Sequence, residues 1–246
     1  MILAWKQAYY IARKDLKAYY LKPPLISWGL MLPVVFLLAF YFRNPDKISE
    51  AVPGLVALTL LFSTTSMAAI VITFEKRIDA LERLLLAPLC MKALIFGKGI
   101  GSSAIGASVG LFILFVSMAA FGLSVSNWGF LLLCIGLSTF SFAFMGLLIS
   151  VAVKEVFEAM TLSNFFRLPM VFICGVFFPF ESLPKALQLV GFFLPMTYSV
   201  DILRYCLLNK GSFLNPYLDL AALVGFNLLL FFWIDVTFRK SLREQY

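Results

Sequence analysis

Six long, mainly apolar stretches run through the chain, and each is about as long as a helix that crosses a lipid bilayer. They lie at Leu25–Phe42, Ala51–Phe74, Ile100–Phe121, Trp128–Val153, Val156–Phe178 and Leu218–Phe238. A helical crossing needs about 20 apolar residues, because each residue advances the helix by about 1.5 Å through a hydrocarbon core about 30 Å thick. Backbone N–H and C=O groups find no water inside lipid, so these stretches predict membrane-spanning α-helices.

The composition supports the same class for the chain as a whole. Hydrophobic residues make up 62% of the 246 residues and charged residues 13%, and the mean hydropathy is +0.95. Soluble domains have roughly 45–50% apolar and about 25% charged residues. We therefore predict an all-α, multi-pass integral membrane protein, in which residues 1–246 form one transmembrane domain without a separate soluble domain.

A further apolar region, Leu183–Leu208, is interrupted by Pro184 and Pro195. Proline removes a backbone donor and breaks a helix, so this region favours two short helices over a seventh span. Unpaired backbone is costly in lipid, and the broken region should therefore pack on protein or lie at the outer interface. We predict a re-entrant helical hairpin at residues 179–210.

The basic residues are distributed unevenly between the two sides that six spans define. Of the twenty, fourteen lie on the side of both termini: Lys6, Arg13, Lys14, Lys17, Lys22, Lys76, Arg77, Arg83, Lys92, Lys98, Lys154, Arg239, Lys240 and Arg243. The other side has Arg43, Lys47, Lys185, Arg204 and Lys210, and Arg167 lies within the fifth span. This excess predicts cytoplasmic termini in the plasma membrane. Topology and anionic lipid headgroups then explain the net charge of +7, and nucleic acid is not indicated as a partner.

Residues 1–22 predict a helix that lies in the plane of the membrane interface. Apolar Trp5, Tyr9, Ala12, Leu16 and Tyr19 recur at steps of four and three, and Lys6, Arg13 and Lys17 share another face. This separation of faces is typical of interfacial helices. A membrane anchor and a docking surface for a partner are both open interpretations of it.

The residues of common catalytic and metal sites are missing or scattered. The chain has no histidine, and its four cysteines form no closely spaced pair, so neither a metal site nor a disulfide framework is indicated. A Gly-x-Ser-x-Gly sequence begins at Gly106, but Ser102, Gly106 and Gly110 are better explained as a small-residue stripe for close helix packing. The chain lacks a phosphate-binding Gly-x-x-x-x-Gly-Lys-Ser/Thr loop and should not use ATP by itself.

Arg167 is the one charged residue deep inside a predicted span. Such a residue should face protein or water, and Glu158 is nine positions away, too far along a straight helix to pair with it. A place on a transport path or subunit contact and a structural role are equally open. None of the carboxylates lies squarely at mid-membrane, which disfavours an ion-coupled carrier.

A charged insert, residues 75–98, separates the second and third spans. Over Glu75–Leu86 we predict one amphipathic helix with the apolar stripe Ile78, Leu81 and Leu85, an Asp79–Arg83 pair at four-residue spacing, and an end set by Pro88. Such a helix suits a groove of a soluble protein, although an ordinary solvated loop helix has the same features.

The insert resembles that of the type-2 ABC transporter permeases, which typically carry Glu-Lys/Arg-Glu…Gly-Thr-Leu-Glu-x-Leu…Thr-Pro…Gly-Lys after the second span. The matching positions are Glu75, Lys76, Leu81, Glu82, Leu84, Pro88, Gly97 and Lys98. The chain departs with Arg77, Asp79, Ala80 and Ala87 in place of glutamate, glycine, threonine and threonine. A second part is similar to the family signature that runs from the fifth span into the outer hairpin: Pro169…Cys174-Gly175-Val176-Phe177-Phe178-Pro179…Leu183-Pro184…Pro195-Met196-Thr197-Tyr198…Asp201…Leu203-Arg204, with Cys174 for the usual serine.

The resemblance implies one half of an exporter that is not itself an enzyme. Two such chains, identical or one with a sister permease, would bind two copies of a cytoplasmic ATP-binding subunit, which would hold ATP and Mg; this chain would bind no cofactor. Closure of those subunits would push on the insert and the N-terminal helix. Force would pass through Glu75, Arg77, Asp79, Glu82, Arg83, Leu84 and Pro88, while Phe177, Phe178, Pro179 and Phe180 would form an outer gate and Arg204 would fix the outer hairpin.

The cargo is open at this stage. Aromatic residues make up 16% of the chain, which favours an apolar or amphipathic substrate such as a drug or a lipid-like molecule, although the same residues are expected to face lipid. A polysaccharide or glycolipid exporter is the alternative within the family. An ion-coupled secondary transporter or channel is the alternative from another class, and a membrane enzyme is disfavoured by the missing histidine.

Overall fold

The structure is a computed structural model that describes residues 2–20, 23–43, 48–85, 90–177, 180–209 and 215–245, and no strand occurs in these ranges. Its α-helices are α1 (Ile2–Asp15), α2 (Pro23–Arg43), α3 (Ile48–Arg77), α4 (Ala80–Leu85), α5 (Met91–Phe121), α6 (Trp128–Ala152), α7 (Val156–Ile173), α8 (Lys185–Phe192), α9 (Pro195–Leu208) and α10 (Pro216–Gln245). A π-helical turn, Leu16–Tyr20, follows α1 directly, and a short 3₁₀ turn, Phe180–Ser182, precedes α8.

Six of these helices correspond to the six predicted spans. α3, α5, α6, α7 and α10 are each long and apolar enough to cross a membrane, and the 21-residue α2 contains the apolar part Pro33–Phe42. α3 and α5 have 30 and 31 residues, so both extend beyond the apolar stretches into the charged sequence between them. The prediction of an all-α integral membrane protein is confirmed.

The apolar region with two prolines is a broken pair of helices. α8 has 8 residues and α9 has 14, and their axes meet at 96°. Pro195 occupies the first turn of α9, where its missing N–H costs no helical hydrogen bond. α9 packs against α3, α6 and α10, so its backbone lies against protein instead of lipid.

α3 is the central helix of the bundle. It contacts α2, α5, α6, α7 and α9, and 21 of its 30 residues are buried. Three of its hydroxyl groups, on Thr59, Ser63 and Thr73, donate to carbonyl oxygens four residues earlier in the same helix. The helix can therefore bury polar side chains without partners from other elements.

Small residues allow α5 to approach α3 closely. A methyl group at Gly106 would overlap the side chain of Thr64, and one at Gly110 would overlap Leu60. Ser102, one turn earlier, is buried and donates to the carbonyl of Lys98 at 2.9 Å. The stripe that was predicted to serve packing thus lies at a helix–helix contact.

α1 lies along the first turns of α5. Its buried face consists of Ala8, Ile11, Ala12 and Asp15, and a methyl group on Gly97 of α5 would lie 2.8 Å from the carbonyl oxygen of Ala8. The opposite surface exposes the aromatic side chains of Trp5 and Tyr9 and the basic side chains of Lys6, Arg13 and Lys17. The apolar face predicted for an interface helix is therefore divided, because small residues are buried against α5 whereas Trp5 and Tyr9 remain largely exposed.

Candidate functional site

The connection between α3 and α5 is shorter than the charged sequence suggests. α3 continues to Arg77, a turn at Ile78 and Asp79 follows, and α4 covers only Ala80–Leu85. Asp79 has a φ of 55°, a left-handed conformation that interrupts a right-handed helix. The single helix predicted over Glu75–Leu86 is therefore wrong: the chain turns at Asp79, and α4 is a separate short helix. We call residues 78–90 the α3–α5 connection.

The structure places three of the five coupling residues with described side chains on the surface of this end of the molecule. Arg77, Asp79 and Arg83 are exposed, and Leu84 is half-buried against a core cluster that includes Ile72 and Leu94. Asp79 and Arg83, both with described side chains, were expected to pair but form no ion pair; only the backbone N–H of Arg83 bonds the carbonyl of Asp79, at 3.2 Å. The side chain of Glu82 and all of Pro88 lie outside the described residues.

Glu75 differs from the other coupling residues because it is fully buried. It belongs to a group of four charged residues, Lys14, Asp15, Glu75 and Lys98, that we call the charge cluster. Lys14 Nζ lies 2.7 Å from Glu75 Oε1 and 3.0 Å from Asp15 Oδ1. Lys98 Nζ lies 2.8 Å from Asp15 Oδ2 and also pairs with Glu75 Oε2. The charge cluster thus joins α1, α3 and α5 at one point.

The charge cluster is shielded from water and balanced in charge. Asp15, Glu75 and Lys98 are at most 1% exposed, whereas the side chain of Lys14 is 41% exposed and closes the cluster toward solvent. Burial raises the pKa of Asp15 above its usual value, against the opposing attraction of Lys98. Two cations face two carboxylates, so each buried charge has a partner of opposite sign, which is the condition for keeping such groups inside a protein.

Lys76, the residue after Glu75, makes contacts on the other side of α3. Its ammonium group donates to the carbonyl of Ser150 at 2.6 Å and lies 3.5 Å from the carbonyls of Val151 and Val153. Ser150 and Val151 belong to the last turn of α6 and Val153 caps it, and at such an end helical carbonyls lack partners and the helix dipole favours a cation. Glu75 and Lys76 together connect the end of α3 to α1, α5 and α6.

Sequence reasoning missed the roles of Asp15 and Lys76 in this arrangement. A signal for Asp15 was present, because it is the first acidic residue of the chain and continues the spacing of Ala8, Ile11 and Ala12 along one helical face. The partners of Lys76 are backbone carbonyls about 75 residues away, and no pattern of residue types indicates such a bond.

At the opposite end of the molecule, the predicted gate residues pack among aromatic side chains. The Phe177 ring lies 5.2 Å from Phe36, 5.7 Å from Phe40 and 5.5 Å from Phe172, measured between centroids. Phe180 is buried against Phe192 with centroids 5.4 Å apart. Phe178 and Pro179 lie outside the described residues. Phe177 therefore connects the segment after α7 to α2, and Phe180 packs the 3₁₀ turn against the end of α8.

Arg204 of α9 bonds the turn that follows α7. Its guanidinium group donates to the carbonyl oxygen of Gly175 at 2.5 Å, and Gly175 has a φ of 78° that favours glycine. A small pocket adjoins this bond and is lined by Cys174, Phe180, Glu181, Thr197, Tyr198, Val200, Asp201, Arg204 and Asp219. Arg204 thus holds the broken hairpin to the end of the fifth span.

Arg167 points from α7 toward the central helix. It is 3% exposed, and its guanidinium group donates to the side chain of Ser66 at 2.6 Å and to the carbonyl of Phe62 at 3.3 Å. It also donates to the carbonyl of Ser163 and lies 4.7 Å from the Phe62 ring centroid. In this conformation Arg167 therefore joins two helices of one chain and does not face an open path.

The comparisons with known proteins agree with these features. The family described as "ABC-2 type transporter" matches residues 6–208. "Inner membrane transport permease YadH" of Escherichia coli is 27% identical over 154 residues, which cover 63% of this chain and 60% of YadH. "Probable multidrug ABC transporter permease YbhS" of Escherichia coli is 28% identical over 178 residues, covering 70% of this chain and 47% of YbhS.

A shorter match is to "Nodulation protein J" of Bradyrhizobium diazoefficiens, 38% identical over 74 residues, 30% of this chain and 28% of that protein. The chain thus covers less than two thirds of the length of each of these relatives. The family match spans α1 to α9, and so includes the charge cluster, the α3–α5 connection and the broken hairpin. This chain is a membrane-spanning member of the ABC-2 type transporter family.

Proposed function

We propose that this chain is the permease subunit of an ATP-driven exporter and takes its energy from a separate ATP-binding subunit. The observation that carries the proposal is the construction of the α3–α5 connection. A short helix, α4, stands at the end of the buried α3, with Arg77, Asp79 and Arg83 exposed around it. The charges that could receive a partner are on the surface, and the charges beneath them pair with one another.

The proposed partner is a cytoplasmic ATP-binding subunit, present in two copies that hold ATP and Mg. The family and the YbhS match support an ABC partner, because both carry an ABC name. The surplus of basic residues at this end of the chain supports a cytoplasmic location in the plasma membrane. A second permease, identical or a sister chain, completes the proposed assembly.

The proposed cargo is an apolar or amphipathic molecule, such as a drug or a lipid-like compound, moved outward. The aromatic residues at the outer end favour such a cargo, since Phe36, Phe40, Phe172 and Phe177 form a continuous apolar cluster there. The name of YbhS describes that protein as a multidrug permease. Export of a polysaccharide or glycolipid is the alternative within the family.

The test is co-purification of the tagged chain from its native membrane in mild detergent, followed by mass spectrometry and an ATPase assay. We expect a nucleotide-binding protein to be recovered with the chain. Reversing the charge of Arg83 should reduce its recovery about tenfold, equivalent to about 1.4 kcal/mol of binding free energy. Lys154→Glu is the matched control, because it makes the same charge change at an exposed site of the same end, outside the connection.

Two outcomes would contradict the proposal. One is a chain that purifies alone and supports transport in proteoliposomes without ATP, which would favour an ion-coupled carrier. The other is equal loss of the ATPase from the Arg83 and Lys154 variants, which would contradict only the part of the proposal that places the partner at the α3–α5 connection, because general charge at this end would then hold it.

A further inference from the structure

The last turn of α3 carries two adjacent charged residues with contacts on opposite sides. On one side, Glu75 accepts hydrogen bonds from Lys14 of α1 and Lys98 of α5. On the other side, Lys76 donates to a carbonyl at the end of α6. The chain leaves α3 one residue later and turns into α4. Displacement of α4 therefore reaches α3 directly through this turn.

Separating these contacts is costly, because the groups are buried. Removing one partner of a buried ion pair leaves an unpaired charge, which is strongly destabilising. Asp15, Glu75 and Lys98 are all nearly inaccessible to water. Among the described residues, Lys14 and Lys98 are the only cations within ion-pair distance of the two carboxylates. α1, α3 and α5 can move together far more easily than they can move apart.

Close packing around the charge cluster also holds these helices together. Gly97, the neighbour of Lys98, brings the backbones of α5 and α1 into contact at Ala8 and Ile11. Two contacts bind α6 to α3. One is the hydrogen bond of Lys76 to Ser150, and the other is the close approach at Gly146, where an added methyl group would lie 2.6 Å from the carbonyl oxygen of Thr65. Ionic bonds and close backbone contacts thus join the same four helices.

From this arrangement we infer that Glu75 and Lys76 form a two-sided clamp that makes α1, α3, α5 and α6 move as one unit. The inference rests on the proposed function, because it concerns how movement imposed on α4 by an ATP-binding partner reaches the spans. Asp15 and Lys98 are positioning residues in this scheme: Lys98 pairs with Glu75, and Asp15 pairs with Lys14 and Lys98, the two cations that hold Glu75. The clamp explains why an acidic residue is followed by a basic one at the end of α3.

Two natural cysteines allow a test that needs no knowledge of the cargo. Cys90 is exposed at the end of the α3–α5 connection, and Cys174 is buried at the outer end of α7. With Cys134 and Cys206 replaced by alanine, maleimide labelling of Cys90 reports coverage by the partner. Labelling of Cys174, with and without ATP and vanadate, reports whether the partner's movement reaches the outer end of the spans.

The variants are Glu75→Gln, Lys76→Gln and Lys98→Met in the complex recovered with its ATPase subunit. We expect Cys90 to stay protected in all three, while the ATP-dependent change at Cys174 falls about fivefold or more. Lys98→Arg should retain most of the response, because it keeps the cation. Lys92→Met is the matched control, since Lys92 is exposed on the same helix six residues before Lys98.

A normal Cys174 response in Glu75→Gln and Lys98→Met, with Cys90 still protected, would overturn the clamp and leave the proposed function standing. Lys98→Arg as defective as Lys98→Met would overturn the role of charge. Hydrogen exchange tests the clamp in the chain without partner: amides of α1 should exchange about tenfold faster in Lys98→Met than in Lys92→Met. Equal exchange in these two variants would also overturn it. Failure to recover any ATPase would contradict the proposed function only.

Discussion

Replacing Gly106 by alanine should weaken the packing of α5 on α3, whereas the same replacement at Gly136 should not. A methyl group at Gly106 would lie 2.9 Å from Cβ and 3.3 Å from Cα of Thr64, and nearer still to its hydroxyl oxygen. A methyl group at Gly136 of α6 would meet no heavy atom of the described residues within 4 Å. Both glycines lie inside helices, so they differ in surroundings and not in backbone type.

The expected magnitudes follow from two opposing effects. Forcing an extra carbon into a packed contact costs about 1–3 kcal/mol. Exchanging glycine for alanine inside a helix contributes roughly 0.5–1 kcal/mol in the stabilising direction. Gly106→Ala should therefore lower the free energy of unfolding by about 0–2.5 kcal/mol, and Gly136→Ala should raise it by roughly 0.5–1 kcal/mol.

The assay is the midpoint of thermal unfolding in detergent, measured as the temperature at which half of the monodisperse protein is lost on size-exclusion chromatography. Adding Thr64→Ala to Gly106→Ala should restore part of the loss, because it removes the hydroxyl oxygen that is overlapped most and leaves the β-carbon in place. Thr64→Ala alone should cost little, since its buried hydroxyl has no hydrogen-bond partner among the described residues. Equal midpoints for the two alanine variants would refute the reasoning.

Three further changes test other contacts, each by the same unfolding midpoint. Arg167→Met should lower the free energy of unfolding by about 2–4 kcal/mol, because it removes charged hydrogen bonds to the Ser66 side chain and the Phe62 carbonyl of α3. A loss of transport with an unchanged midpoint would instead place Arg167 on the transport path. Asn127→Ala should cost about 1 kcal/mol, since Asn127 accepts from two N–H groups at the start of α6, and Asn127→Asp should be nearly neutral. Asp219→Asn should raise the free energy of unfolding by about 1 kcal/mol, because Asp219 is buried beside the acidic side chain of Asp201 and an amide would place a hydrogen-bond donor between them in place of a second acid; a lower midpoint would contradict this.

The sequence was informative about the spans because their signal is local. Apolar length alone locates a membrane helix, and Pro184 and Pro195 mark the starts of α8 and α9. The ends of α3 and α5 were misjudged for a physical reason. Charged residues such as Glu75 and Lys98 resemble loop residues in a hydropathy pattern, yet their ion pairs let the helices continue through them.

The candidate site was harder to predict because its contacts join distant parts of the chain. Lys14 and Glu75 are 61 positions apart, and Glu75 and Lys98 are 23 apart. A family pattern can indicate that Glu75 and Lys98 belong to one insert, but it does not show that Asp15 completes the group. The left-handed residue Asp79 was equally hidden, because aspartate fits a helix, a turn or a cap.

The balance of charge in the charge cluster has a consequence for ionic strength. Mobile ions weaken attraction between exposed groups over roughly 8–10 Å at moderate salt, but they reach buried pairs poorly. A partner held at Arg77 and Arg83 should therefore dissociate in a concentrated salt wash, while the neutral group beneath it, two lysines against two carboxylates, stays intact. The permease would keep its helices joined and remain ready to bind the partner again when the salt is removed.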